Sequence, residues 1–155
     1  MELLEKFPTY NFVEGDCFLW SPKYKIIVYN PDIINTDEGR LGLLHEIAHA
    51  LLDHRIYKYD MELLKMELEA WTEAKKLAAG LNIPINQEHI KRAISSYDDW
   101  LTRRATCPDC ESFGAQSGRD SYKCFTCGAK WSVNWRKDRR VMRTVTSRYP
   151  SIQPA

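Results

Sequence analysis

His45-Glu46-Ile47-Ala48-His49 sets two imidazoles four residues apart, with a carboxylate directly after the first. On a helix, positions i and i+4 share a face, so His45 and His49 offer two ring nitrogens to one metal ion. Glu46 sits near the rim of that face. There its carboxylate reaches a water on the ion without taking a coordination position, the arrangement that hydrolysis at zinc requires. Three fixed letters in five recur by chance in unrelated chains, so the surrounding elements must supply a third ligand and a reason for burial.

The pentapeptide lies within the apolar-periodic run Arg40 to Asp53. Asn35, followed three residues later by Glu38, reads as the N-cap of a helix running to about His54. Its apolar stripe is Leu41, Leu44, Ala48, Leu51 and Leu52, flanked by Leu43 and Ile47, and Gly42 is expected to leave space one turn before the metal. The stripe needs a partner. Cys17-Phe18-Leu19-Trp20 and Tyr24-Lys25-Ile26-Ile27-Val28-Tyr29, joined across Ser21-Pro22-Lys23, read as a β-hairpin that supplies it, with Cys17 as a small buried thiol. The first dozen residues, which include Pro8, suggest a short helical turn and then extended chain.

Asp60 reads as the N-cap of a second helix, Met61 to Ala79, ended by Gly80. Two of its carboxylates, Glu67 and Glu69, compete to be the third ligand. Two residues apart on a helix, they point about 200° from each other. Glu67 falls near the centre of an apolar arc of Leu63, Leu64, Ala70, Trp71, Ala74 and Ala78, whereas Glu69 lies among Glu62, Lys65, Thr72, Glu73 and Lys76. A carboxylate facing a core is costly unless paired or bound to a metal, so Glu67 is the expected ligand and Glu69 the alternative. Asn86 can cap a third helix, Gln87 to about Arg104, whose core face is Ile90, Ala93, Ile94, Tyr97 and Leu101, joined by Trp100. His89 has no partner in this pattern. Tyr57, Tyr59 and His54 are equivalent candidates for a donor to an oxyanion.

A hairpin, a helix with HEIAHALLDH, and the ExEA pattern Glu67-Leu68-Glu69-Ala70 resemble the ImmA/IrrE family of metallopeptidases over residues 10 to 104. The resemblance implies a minimal zincin-like α+β domain and a catalytic zinc completed by the first Glu of ExEA, here Glu67. It also implies cleavage of regulatory or DNA-associated proteins. Trp71, Lys75 and Lys76 depart from the more apolar continuation of that family, which bears on partner surfaces.

A second ligand group follows. Cys107-Pro108-Asp109-Cys110 and Cys124-Phe125-Thr126-Cys127 are two CxxC pairs separated by thirteen residues, the spacing of a zinc ribbon in which four thiolates hold one structural zinc. Ser117-Gly118-Arg119-Asp120 reads as the turn of a hairpin between them. A module this small lacks a sufficient core, so its zinc would hold it folded. Residues 130 to 148 then carry seven basic and one acidic side chain, with Trp131 and Trp135 interleaved. That composition suits nucleic acid, or equally a solvated tail with Trp131 packed on the ribbon.

Charge divides the chain at the same place: residues 1 to 105 carry net −4 and residues 106 to 155 net +5. The expected organisation is therefore a metallopeptidase domain over 1–105, a four-cysteine zinc ribbon over 106–135 and a basic C-terminal tail over 136–155. No apolar run approaches the roughly 18 residues of a membrane span, and Met1-Glu2-Leu3-Leu4-Glu5-Lys6 lacks the pattern of a secretory signal. Neither membrane association nor a disulfide framework is expected, and the cytoplasm is the expected compartment. The functional expectation is a zinc metalloprotease with two zinc ions, a protein substrate, and a ribbon that recognises substrate or nucleic acid. Its rivals are a SprT-like protease of DNA-bound proteins with a third His, for which His54 follows His49 too closely, and a non-catalytic nucleic-acid-binding regulator, against which Glu46 speaks.

Overall fold

The computed structural model describes residues 2–149. It is a mixed α+β structure with four helices and two small sheets among the described residues, and its chain divides into two compact units. Among the described residues, the first comprises residues 2–56 and 65–94, the second residues 57–64 and 95–149.

In the first unit, α1 (Glu2–Glu5) leads into β1 (Asn11–Glu14), and β2 (Leu19–Ser21) and β3 (Ile26–Tyr29) form the antiparallel hairpin. β1 pairs parallel to β3, giving the sheet order β1-β3-β2 with β2 at an edge. Cys17 lies in the bend before β2 and is exposed, which corrects the expectation of a buried thiol: the segment turns toward solvent before pairing begins.

Helix α2 (Asp37–Leu51) packs on β2 and β3. Its N-cap is Thr36, not Asn35; Thr36 Oγ1 accepts from Gly39 N at 2.9 Å and donates to Ile33 O at 2.7 Å. Glu38 closes no capping box. It faces Arg92 and the His89 ring, 3.5 and 3.7 Å away, so His89 has a partner after all. Leu41, Leu43, Leu44, Ile47 and Ala48 are fully buried, a wider arc than one stripe, because the helix is covered on several sides. Leu51 and Leu52 instead lie exposed past the end of the core. Gly42 leaves no open space by the ligands either: a Cβ there would meet the Phe18 ring at 3.2 Å.

Helices α3 (Asp60–Gly80) and α4 (Gln87–Ala105) each serve both units. Ala70, Trp71, Ala74 and Ala78 from α3 and Ile90 from α4 complete the first core, while Leu63 with Trp100 and Leu101 forms a cluster in the second unit. Asn86 Oδ1 caps α4 by accepting from His89 N at 3.0 Å. Asp60 is not the cap expected of it. Glu62 takes the orphan amides of Lys58 and Tyr59, at 2.7 and 3.1 Å, and the Asp60 carboxylate turns to the Tyr122 hydroxyl and the Arg104 guanidinium within the second unit.

The second unit carries the sheet β4-β5-β6-β7, antiparallel throughout: β4 (Ala115–Gly118), β5 (Ser121–Lys123), β6 (Lys130–Val133) and β7 (Arg143–Ser147). β7 puts part of the basic C-terminal segment into this sheet, with β-favouring Thr144 and Val145 paired to Ser132 and Trp131 along the β6 edge and a register shift at Thr146. Trp131 is wholly buried, stacks on Tyr122 and donates its indole N–H to Arg104 O at 2.9 Å. Arg104 is itself 1% exposed; it donates to the carbonyls of Asn134 and Arg119 and lies over the Trp100 ring. No helix among the described residues is long and apolar enough to cross a membrane.

Candidate metal centres

One turn of α2 separates His45 from His49, and both point inward because the apolar residues around them are buried. Their Nε2 atoms are 3.1 Å apart. Glu67, facing the core from α3, brings Oε2 to 3.1 Å from His45 Nε2 and Oε1 to 3.4 Å from His49 Nε2. A tetrahedral ion with bonds of about 2.0–2.1 Å would set such ligand atoms about 3.3 Å apart, so this triangle suits a metal without rearrangement. His45, His49 and Glu67 are all buried, and a buried carboxylate between two imidazoles is the donor set that a divalent ion would neutralise. Burial pushes the Glu67 carboxyl up, but hydrogen bonds and charge from His45 and His49 outweigh it and bring the group down to about 2. Glu67 is thus held as the carboxylate anion.

Glu46 is not one of the three converging groups. It is half-buried, and its Oε2 accepts the main-chain N–H of Trp20 at 2.6 Å. The Trp20 indole donates to His54 O at 2.9 Å, so one residue of the edge strand β2 grips both the acid side chain and the chain leaving α2. Glu69, exposed on the other side of α3, lies 3.4 Å from His54 Nε2 and does not join the Glu67 group.

In the second unit, Cys107, Cys110, Cys124 and Cys127 converge, with Cys107 Sγ 3.6 Å from Cys127 Sγ and Cys110 Sγ 3.5 Å from Cys124 Sγ. Those distances are far beyond a disulfide, near 2.05 Å, and close to the roughly 3.8 Å edge of a tetrahedron with 2.3 Å metal–sulfur bonds. The two knuckles are near copies. Cys107 N donates to Ser112 O and Glu111 N to Cys107 O, at 2.8 and 3.0 Å; Cys124 N donates to Ala129 O and Gly128 N to Cys124 O at the same two distances. Glu111 and Gly128, each just after its second cysteine, are both left-handed, at φ 62° and 76°. The amide of Cys127, with that of Thr126, points at the Cys124 sulfur and draws its thiol down to about 6, toward the thiolate that binds metal.

No family model, curated protein or solved structure matches the chain. The site therefore stands on its geometry. Both ligand groups could hold a metal ion.

Three contributions have no counterpart in the sequence reading. The Trp20 amide on Glu46 is a main-chain contact, which no side-chain pattern announces. Trp71 lies flat on His45, ring centroids 4.0 Å apart, and its edge meets His89. His54 faces away from the ligand triangle, with Nδ1 2.8 Å from His49 Nδ1 and Nε2 toward Glu69. Burial first, then repulsion from His49, holds the His54 imidazole below its usual pKa against the pull of Glu69.

Proposed function

We propose that the chain is a zinc-dependent peptidase with a zincin-like catalytic unit of the ImmA/IrrE type and a ribbon held by a second, structural zinc. The observation that carries this reading is the buried triangle of His45 Nε2, His49 Nε2 and the Glu67 carboxylate, with Glu46 next to the first ligand. His45, His49 and Glu67 would hold the zinc ion, which would supply Lewis acidity toward a water and a peptide carbonyl. Glu46 supplies the base. Its Oε2 is fixed by the Trp20 N–H, and its other oxygen takes the proton of an attacking water and returns it to the departing amine. His54 supplies no oxyanion donor, since both its nitrogens face other groups. The same placement speaks against a SprT-like third His, because neither His54 nitrogen joins the ligand triangle.

The substrate is proposed to be a protein. The ribbon serves its recognition or that of nucleic acid, and one observation favours the latter: four cations, Arg103, Lys137, Arg139 and Arg140, outnumber the carboxylates of Asp99 and Asp138 around a cavity of about 330 Å³ beside Trp100. Of the two interleaved tryptophans only Trp135 is exposed, beneath the Arg119 guanidinium, so it alone can stack on a base. Glu46→Gln tests the central claim: the variant keeps both ions and loses peptide hydrolysis, and full hydrolysis with both ions bound would overturn it.

A further inference from the structure

We propose that Glu69 and His54 form a positioning pair that fixes the tautomer and ring orientation of His49. The inference rests on the reading of His45, His49 and Glu67 as a metal centre. To ligate through Nε2, neutral His49 must carry its proton on Nδ1, and that buried N–H needs an acceptor. The atom facing it at 2.8 Å is His54 Nδ1. An imidazole accepts there only when its own proton is on Nε2, and His54 Nε2 lies 3.4 Å from Glu69 Oε2, an acceptor with nothing to donate. Each proton in the series then has one place: His49 Nδ1–H toward His54 Nδ1, and His54 Nε2–H toward Glu69. Reversing any member sets two donors or two acceptors against each other.

The helix end places His54 where this requires. α2 closes in a Schellman motif, with His54 N donating to His49 O at 3.0 Å and Asp53 N to Ala50 O at 3.1 Å, around Asp53 at φ 50°. In that motif the residue two past the cap folds back on the residue three from the helix end. Here the two are His54 and His49, and their rings meet edge to face with centroids 4.9 Å apart. The Trp20 indole on His54 O fastens the same turn from the strand side. His45 shows the contrast. Its Nδ1 is buried with no hydrogen-bond partner, and the flat face of Trp71, rather than an acceptor, lies against its ring.

The test uses the full chain loaded with Zn²⁺, reading affinity by chelator competition and the His49 tautomer by ¹H–¹⁵N NMR of the imidazoles. His54→Leu removes the acceptor; His54→Asn returns an amide oxygen close to the place of Nδ1. His54→Leu is expected to weaken the ion lost in His45→Ala by about 10- to 100-fold and to abolish the His49 Nδ1–H signal. His54→Asn should recover most of both, and Glu69→Ala should fall between. Affinity unchanged in His54→Leu, or equally weakened in His54→Asn, overturns the pair while leaving the metal centre standing. A wild-type chain that binds no ion outside the cysteines overturns both.

Discussion

Around His45, His49 and Glu67 the ligands are carried by two helices whose own apolar residues, Leu41, Leu44, Ile47, Ala48, Ala70 and Ala74, are buried without reference to an ion. Around Cys107, Cys110, Cys124 and Cys127 the order is reversed: Cys107 and Cys124 are themselves among the buried members of the small cluster that Tyr122, Ala129, Trp131 and Val133 complete. A metal at the first site is a guest in a scaffold, whereas at the second it is part of what the scaffold is made of. Chemistry needs the former, since a reacting ion must change ligands without the fold changing with it.

Removing metal should therefore split the molecule. Exhaustive chelation, or Cys107→Ser, is expected to unfold the ribbon, where zinc supplies about 10–16 kcal/mol in comparable small modules, and to leave the first unit folded. Loss of Trp131 amide dispersion by NMR, with the Ile47 and Ala74 methyl signals retained, would show it; a ribbon that stays folded without metal would erase the distinction. Glu67→Ala should next remove one ion and spare the other, read by metal counting. Glu46→Gln sharpens the contrast further, because it changes neither ion: hydrolysis of an unfolded protein substrate should fall about 10²- to 10⁴-fold, the usual contribution of a general base. Tyr122→Phe leaves the buried Asp60 carboxylate short of a donor and should cost the second unit about 1–3 kcal/mol in denaturant unfolding, with little effect on the first. The smallest effect is a gain. Glu111→Gly gives the first knuckle the residue its left-handed backbone favours and should raise ribbon stability by about 1 kcal/mol.

Much of this was legible in the chain because the relevant side chains announce themselves by period. Glu67 falls in an apolar arc and is buried against two imidazoles; Glu69 falls among polar residues and is exposed. The CxxC knuckles and their hairpin turn are local, so spacing alone outlines them. What periodicity missed are pairings set by distant main chain. β1 is four residues long and pairs parallel to β3 across more than ten residues, and β7 joins β6 only after an irregular loop. Leu51 and Leu52 continue the apolar run of α2 but lie beyond the residues available to cover them. The fold-back of His54 was hidden because Asp53, rather than a glycine, takes the left-handed position that ends the helix.

The two grips of Trp20 differ in what a mutation can reach. Its indole holds the carbonyl of His54, and any residue without a ring N–H gives that up. Its hold on Glu46 comes from the main-chain amide, which nineteen of the twenty amino acids possess and proline alone lacks. Sequence drift at position 20 can therefore loosen the turn behind His49 while Glu46 stays anchored. The hold on Glu46 is insulated from side-chain change on this strand, and the turn that carries His54 is open to tuning by it.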